Sequence, residues 1–313
     1  MENENNINYE KSNLNKPKNS FKEKILVLLE LGKIRITTAV SFTALLGYVL
    51  AKGNLDLTSI NVFIGTFLLS LGSSAFNQIQ EEKYDKIMQR TKLRPLPSKK
   101  IDKNSAIAFA VIFSCLGMFV LVEFVGMLPF IFGFITLIFY NVIYTPMKRV
   151  SSFAVIPGSI VGALPPLIGW TAFNSNFLDP LIVSFCFFIF VWQIPHFWIL
   201  LLIYKDDYKL AEYPMITDTM EVKRLRNIIF IWIISLCLTS LFFPYFIEDN
   251  YYFNKIIILI ANLALSVKLI NQTKKLLSDQ EVVPKYLFKS INLYVMWILI
   301  IVVLDKIISN LIR

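Results

Sequence analysis

Nine long apolar stretches constrain this chain more than any motif does. They lie near residues 36–51, 58–76, 105–125, 127–144, 154–172, 178–201, 228–246, 254–271 and 286–304. A membrane span needs about 20 mostly apolar residues, within a range of about 17–25. The first stretch is short, and the eighth carries Asn262 and Lys268. Inside hydrocarbon every backbone N–H and C=O must find its partner within the segment, so these stretches are predicted to be helices. No alternating pattern of the outer-membrane barrel type appears. Composition agrees: 56% of the 313 residues are apolar and 17% charged, against about 45–50% and about 25% in soluble domains. The 27 Phe, mostly inside apolar runs, exclude a disordered chain. The predicted fold class is an all-α integral membrane protein, a bundle of nine transmembrane helices.

The net charge of +9 would in a soluble protein suggest nucleic acid. Its distribution says otherwise. Residues 1–35, 77–104, 145–153, 202–227 and 272–289 hold 26 of the 31 Lys and Arg. The alternate connections (52–57, the 126 junction, 173–177, 247–255 and 305–313) hold four: Lys52, Lys255, Lys306 and Arg313. Lys268 lies within the eighth stretch. This asymmetry predicts a cytoplasmic N-terminus and an external C-terminus. The charge is a topological signal, and nucleic acid is not an expected partner. Residues 1–24, Asn- and Lys-rich with Pro17, are expected to form a disordered cytoplasmic tail, followed by a single transmembrane domain over 25–313. The tail lacks an apolar signal core, and Glu2, Glu4 and Glu10 argue against a mitochondrial presequence, which leaves a bacterial cytoplasmic (inner) membrane as the expected location. Cys115, Cys186 and Cys237 occupy separate apolar runs, and His196 is the sole histidine. Zinc sites and disulfide frameworks are not expected.

The chemistry-bearing residues collect at cytoplasmic helix ends. After Phe76 the second stretch continues as Asn77-Gln78-Ile79-Gln80-Glu81-Glu82-Lys83-Tyr84-Asp85. At about 100° per residue, Asn77, Glu81 and Asp85 line one helical face. Like charges at this spacing repel unless something cationic sits between them, and hard oxygen donors suit Mg2+ held jointly with a phosphate. A solvated helix end would also carry Glu and Asp, so spacing alone leaves both readings open. The cations that follow favour the first reading. Arg90, Thr91, Lys92 and Arg94 come within a few turns of the acidic face, and Lys148 and Arg149 follow the fourth stretch. Guanidinium groups match phosphate oxygens bidentately. Asp206 and Asp207, after the sixth stretch, supply a second carboxylate cluster on the same membrane side. Two such clusters facing each other can clamp a metal-bridged diphosphate between the two halves of a bundle.

Taken together, these residues resemble the UbiA superfamily of intramembrane prenyltransferases, and within it the protoheme IX farnesyltransferase (heme O synthase) branch. The resemblance is carried by Asn77-Gln78-x-x-Glu81-x-x-x-Asp85-x-x-Met88-x-Arg90-Thr91-x-x-Arg94-Pro95-Leu96 and Tyr144-Thr145-Pro146-x-Lys148-Arg149. It continues in the run Gly162–Trp170, in Trp192-x-x-Pro195-His196-Phe197-Trp198, and in Asp207-Tyr208 followed by Pro214-Met215. The resemblance implies nine helices around a central cavity. It also implies transfer of a farnesyl group from farnesyl diphosphate to a vinyl group of protoheme, giving heme O and diphosphate, with Mg2+ as cofactor and heme as substrate. By resemblance Asn77, Glu81 and Asp85 form the first metal–diphosphate motif, with Glu81 where many members have Asp. The second motif departs further: Asp206 meets Leu210, and Asp207 meets Ala211, where a second Asp is common. Either aspartate can serve, with Asp207 preferred because Asp-Tyr is the matching pair. Arg90, Arg94, Lys148 and Arg149 are the expected diphosphate ligands.

His196 has two readings, a hydrogen-bonded packing residue or a heme contact through iron or a propionate. Trp192 and Trp198 are expected to pack, and Gly158 and Gly162 to form a close helix-contact face. The same features weigh against two rivals. Transfer to an aromatic quinone precursor would need the same diphosphate site but not the Pro-His-Phe-Trp run. A transporter would place charges near mid-membrane on broken, repeat-related helices, whereas only Lys268 lies deep in a stretch.

Overall fold

The computed structural model describes residues 21–246, 252–277 and 285–312; the expected tail over 1–20 lies outside them. Among the described residues there are nine helices long and apolar enough to cross a membrane: Ile34–Lys52, Leu57–Asp85, Lys103–Phe124, Met127–Met147, Ser152–Trp170, Pro180–Ile203, Val222–Phe246, Lys255–Leu277 and Lys285–Leu311. They match the nine apolar stretches in order, and they make the chain a multi-pass membrane protein. Before them, Phe21–Leu31 forms a further helix, which takes in residues 21–24 that the sequence assigned to the tail. Its end is tied down because Gln78 Nε2 donates to the carbonyls of Glu30 (3.0 Å) and Leu31 (2.8 Å).

The helix ends follow local chemistry. Gly53, at φ 85°, closes the first span through its N–H to the Val49 carbonyl. Asp56 caps the second span in a reciprocal box with Ser59. Asp102 and Asp179 cap the third and sixth spans. Two spans depart from regular α-helix. The fourth passes through a π-helical stretch, Phe139–Tyr144. The fifth breaks at Leu164 between Val155–Ala163 and Pro165–Trp170, where two prolines remove backbone donors.

Consecutive spans pack side by side, and the ninth packs against the sixth and the first, which closes the bundle. One core joins the sixth, seventh and ninth spans through Phe185, Phe188, Ile229, Ile233, Ile291 and Ile298, with Ala163 and Trp170 of the fifth span packed into it. A second joins the first, second, third and fifth spans around Ala44, Tyr48, Leu69, Leu121 and Ile168. The first and fifth spans touch backbone to backbone: a Cβ on Gly169 would collide with the Ala44 carbonyl, and one on Gly47 with the Pro166 carbonyl. The expected glycine face lies elsewhere. Gly158 makes room for the Tyr144 ring, and Gly162 for the Gln193 amide, so these two glycines accommodate side chains rather than a neighbouring backbone.

Because a backbone carbonyl cannot rotate aside, Gly169→Ala should cost about 1–3 kcal/mol. Thermal unfolding in detergent should show a lowered midpoint, and an unchanged midpoint would contradict this close packing.

Candidate active site

The polar continuation of the second span is helical to Asp85. Its Gln, Glu and Lys residues are good helix formers, and Lys86 pairs with Glu82 one turn back (2.6 Å). The face carrying Asn77, Glu81 and Asp85 turns inward. Glu81 is 5% exposed and Asp85 3%, which rules out a solvated helix end. A buried carboxylate needs a charge partner, and each has one. Arg94 Nη1 lies 2.8 Å from both Asp85 oxygens. Lys148, just past the fourth span, forms an ion pair with Glu81. Burial alone would lower the Lys148 pKa, but the Glu81 carboxylate outweighs it and holds the amine above its usual range.

The structure adds a third basic side chain that sequence reasoning had counted only as a topological charge. Lys33 sits in the left-handed region (φ 52°) directly before the first span, and its Nζ donates to Asn77 Oδ1 at 2.5 Å. Burial, and then the nearby Arg94 guanidinium, pull its pKa down to about 7. Asn77 Nδ2 donates in turn to Thr145 Oγ1 (3.0 Å), whose hydroxyl donates to the Tyr140 carbonyl (2.8 Å). The π-helical stretch makes these contacts possible. Asn141 within it exchanges bonds with Ser73, and its carbonyl accepts from Gln80 Nε2. Such stretches recur at functional sites. Asn141 is the one side-chain amide of the fourth span, a signal the sequence did carry.

The remaining expected residues surround this cluster without joining it. Arg90 is exposed, with its guanidinium 4.7 Å above the Tyr204 ring. Arg149 donates to the Gln80 carbonyl and lies over the Tyr84 ring. Asp207 accepts from the backbone N–H groups of Gln89 (2.9 Å) and Arg90 (3.1 Å), so it holds the basic loop in place. Asp206 is exposed. Among the described residues, no group of three or more His, Cys, Asp or Glu could hold a metal. The two carboxylate clusters are neighbours through an aromatic plate, Met88, Ala211 and Tyr213 with Tyr84 and Tyr208, but they do not form a four-carboxylate cage. Seven residues in from the end of the sixth span, His196 Nδ1 lies 2.8 Å from Asn292 Oδ1.

Two predictions follow from the charges. Lys148→Met should leave Glu81 buried and unpaired, at a cost of about 3–5 kcal/mol. Adding Glu81→Gln should restore most of that stability, as read by thermal unfolding; equal losses in the single and double variants would contradict the pairing. For Lys33, the native amine releases its proton near pH 7, whereas an unfolded lysine holds it to its usual 10.5. Between these values the unfolded state binds the extra proton, so this group's contribution to stability rises with pH. The free energy of unfolding, measured from pH 7 to 10, should therefore rise less steeply with pH in Lys33→Met than in the unaltered chain, and parallel curves would contradict the shift.

With this geometry in hand, known proteins place the chain. The model of the UbiA prenyltransferase family matches residues 40–289. A protein named protoheme IX farnesyltransferase from Cytophaga hutchinsonii is 36% identical over 219 residues, which covers 69% of this chain and 76% of its own length. One of the same name from Legionella pneumophila is 32% identical over 281 residues, covering 88% of this chain and 94% of its own. Among solved structures, a UbiA homolog from Archaeoglobus fulgidus bound to GPP and Mg2+ superposes with a TM-score of 0.69 at 12% identity, covering 90% of this chain and 99% of its own. The apo UbiA homolog of Aeropyrum pernix K1 gives 0.67 at 14% identity, with 89% and 98% covered. An all-helical bundle of nine apolar spans, with a buried polar cluster at one end and this family match, belongs to the UbiA prenyltransferase family.

Proposed function

We propose that this prenyltransferase moves the farnesyl group of farnesyl diphosphate onto a vinyl group of protoheme IX (heme B), giving heme O and diphosphate. The observation that carries the reading is the buried Asn77–Glu81–Asp85 face with Lys33, Arg94 and Lys148 already against it. The choice of heme as acceptor is supported by relatives named protoheme IX farnesyltransferase at 30–36% identity and by the lone histidine of the sixth span.

The donor set fits a hard divalent ion: an amide oxygen and two carboxylates line one helical face and are charge-compensated by side chains that can swing to an anion. Asn77, Glu81 and Asp85 would hold Mg2+, which when bound supplies positive charge to the leaving diphosphate. The side chains do the rest. Arg94, Lys148 and Lys33 offer donors to phosphate oxygens as negative charge builds there, in a site whose low dielectric strengthens each contact. Arg90 and Arg149 flank it, and Asp207 contributes by fixing the amides of residues 89 and 90. Cleavage of the allylic C–O bond leaves the electron pair on the diphosphate. The vinyl carbon attacks the allylic carbon, and water captures the resulting cation with loss of a proton. The apolar farnesyl chain and macrocycle reach such a site from the lipid without crossing water. The excess of Lys and Arg on the odd connections, together with bacterial relatives, supports a place in the bacterial cytoplasmic membrane, with the N-terminus inside and the C-terminus outside.

Membranes containing the chain, incubated with protoheme, farnesyl diphosphate and Mg2+, should yield farnesylated heme by mass analysis. Asp85→Ala should reduce the yield at least about 100-fold, the scale of losing a transition-state charge contact. Full activity in Asp85→Ala, or prenylation of an aromatic acid but not of heme, would overturn the reading.

A further inference from the structure

The neighbour of His196 on the ninth span shows which ring nitrogen is available. Asn292 Oδ1 lies 2.8 Å from His196 Nδ1 and 3.2 Å from Trp192 Nε1. An indole N–H only donates. The Asn292 atom that faces it must therefore be the acceptor oxygen, which settles the orientation of the amide without sight of its hydrogens. That oxygen cannot donate to the histidine either, so Nδ1 carries the hydrogen. In the neutral ring Nε2 is then the nitrogen with the lone pair. None of the described residues hydrogen-bonds to Nε2, and the histidine is only half-buried.

The surroundings suit a flat, apolar, metal-bearing partner. Trp192, Phe197 and Phe288 place their ring centroids 4.9, 5.5 and 4.6 Å from the imidazole. Phe197 also stands 6.0 Å from Tyr144, over which Lys148 lies at 5.0 Å, so the imidazole is two aromatic rings away from the buried ion pairs. His196 and Asn292 lie at matching depths, each seven residues in from Ile203 and Lys285, the cytoplasmic ends of their spans, or roughly 10 Å at 1.5 Å per residue. Pro195 removes the N–H that would bond the Val191 carbonyl, loosening the helix beside the histidine. An imidazole that ligates a metal through one nitrogen usually donates its other N–H to a carbonyl or carboxylate. The Asn292 amide supplies that second bond here.

We propose that Asn292 is a positioning residue: it fixes His196 as the Nδ1–H tautomer and thereby leaves Nε2 as the nitrogen ligand for the iron of the tetrapyrrole acceptor. The inference rests on the reading of heme as acceptor and deepens it. Trp192 serves the same oxygen, so it orients Asn292 as well as packing.

The test uses purified full-length protein titrated with heme, with the Soret band and the reduction potential as readouts. His196→Ala should lose the nitrogen-ligated spectrum. Asn292→Leu should bind heme about 10–100-fold more weakly, the usual scale for losing the group behind a metal ligand. Asn292→Asp, which keeps an acceptor and makes the ring more basic, should keep the ligated spectrum and lower the heme reduction potential. Wild-type affinity and spectrum in Asn292→Leu would overturn the proposal; if that variant fails to fold, an unshifted potential in Asn292→Asp overturns it alone. An unchanged spectrum in His196→Ala would instead sink the heme-contact reading beneath it.

Discussion

Two carboxylates buried at the end of a membrane helix demand cations, and much of this architecture can be traced to meeting that demand. Glu81 and Asp85 are almost fully shielded, where an unpaired charge costs several kcal/mol even after relaxation. Arg94 can reach Asp85 only because the loop after the second span folds back on itself. Thr91 bonds the Asp85 carbonyl, Met88 is buried against Ala211 and Tyr213, and Asp207 holds two loop amides. Lys148 can reach Glu81 only because the fourth span ends one residue before it. The bonds of Asn141 and Thr145 to the second span then fix the register of those two helices.

The same arrangement explains why the site suits a metal and an anion together. Each side chain is paired within the protein, so neither a lone cation nor a lone anion meets an open, uncompensated charge. A metal–diphosphate supplies both signs at once: oxygens on the second span can turn to the metal while Arg94, Lys148 and Lys33 turn to phosphate. In the proposed reaction the charges that stabilise the resting fold become the charges that stabilise the leaving group. On the other flank, the aromatic neighbourhood of His196 supplies an apolar wall and one uncommitted nitrogen, which is chemistry suited to the acceptor.

Properties that run along the chain were readable from it. Length and apolarity revealed all nine spans, and four-residue spacing put Asn77, Glu81 and Asp85 on one face before any contact was known. What could not be read were the partnerships across helices. Lys33 looked like one more positive-inside residue, and nothing along the last span singled out Asn292. Asp207 was legible as a carboxylate beside the site, but not its bonds to the backbone amides of Gln89 and Arg90. Gly158 and Gly162 have the spacing of a helix-contact pair, yet they face the Tyr144 and Gln193 side chains. In each case the missing information was which other helix stands opposite, and spacing within one segment carries none of it. The break in the fifth span falls between: Pro165-Pro166 signals it, but a hydropathy count passes over it.

The central claim is that the paired cluster exchanges its internal partners for a metal and a diphosphate together. Calorimetric titration of the purified protein with inorganic diphosphate, with and without Mg2+, tests it most directly. The account predicts reciprocal coupling, each component tightening the other's binding by the same factor, and loss of that coupling in Asp85→Asn. Diphosphate binding of equal strength with and without Mg2+ would contradict it.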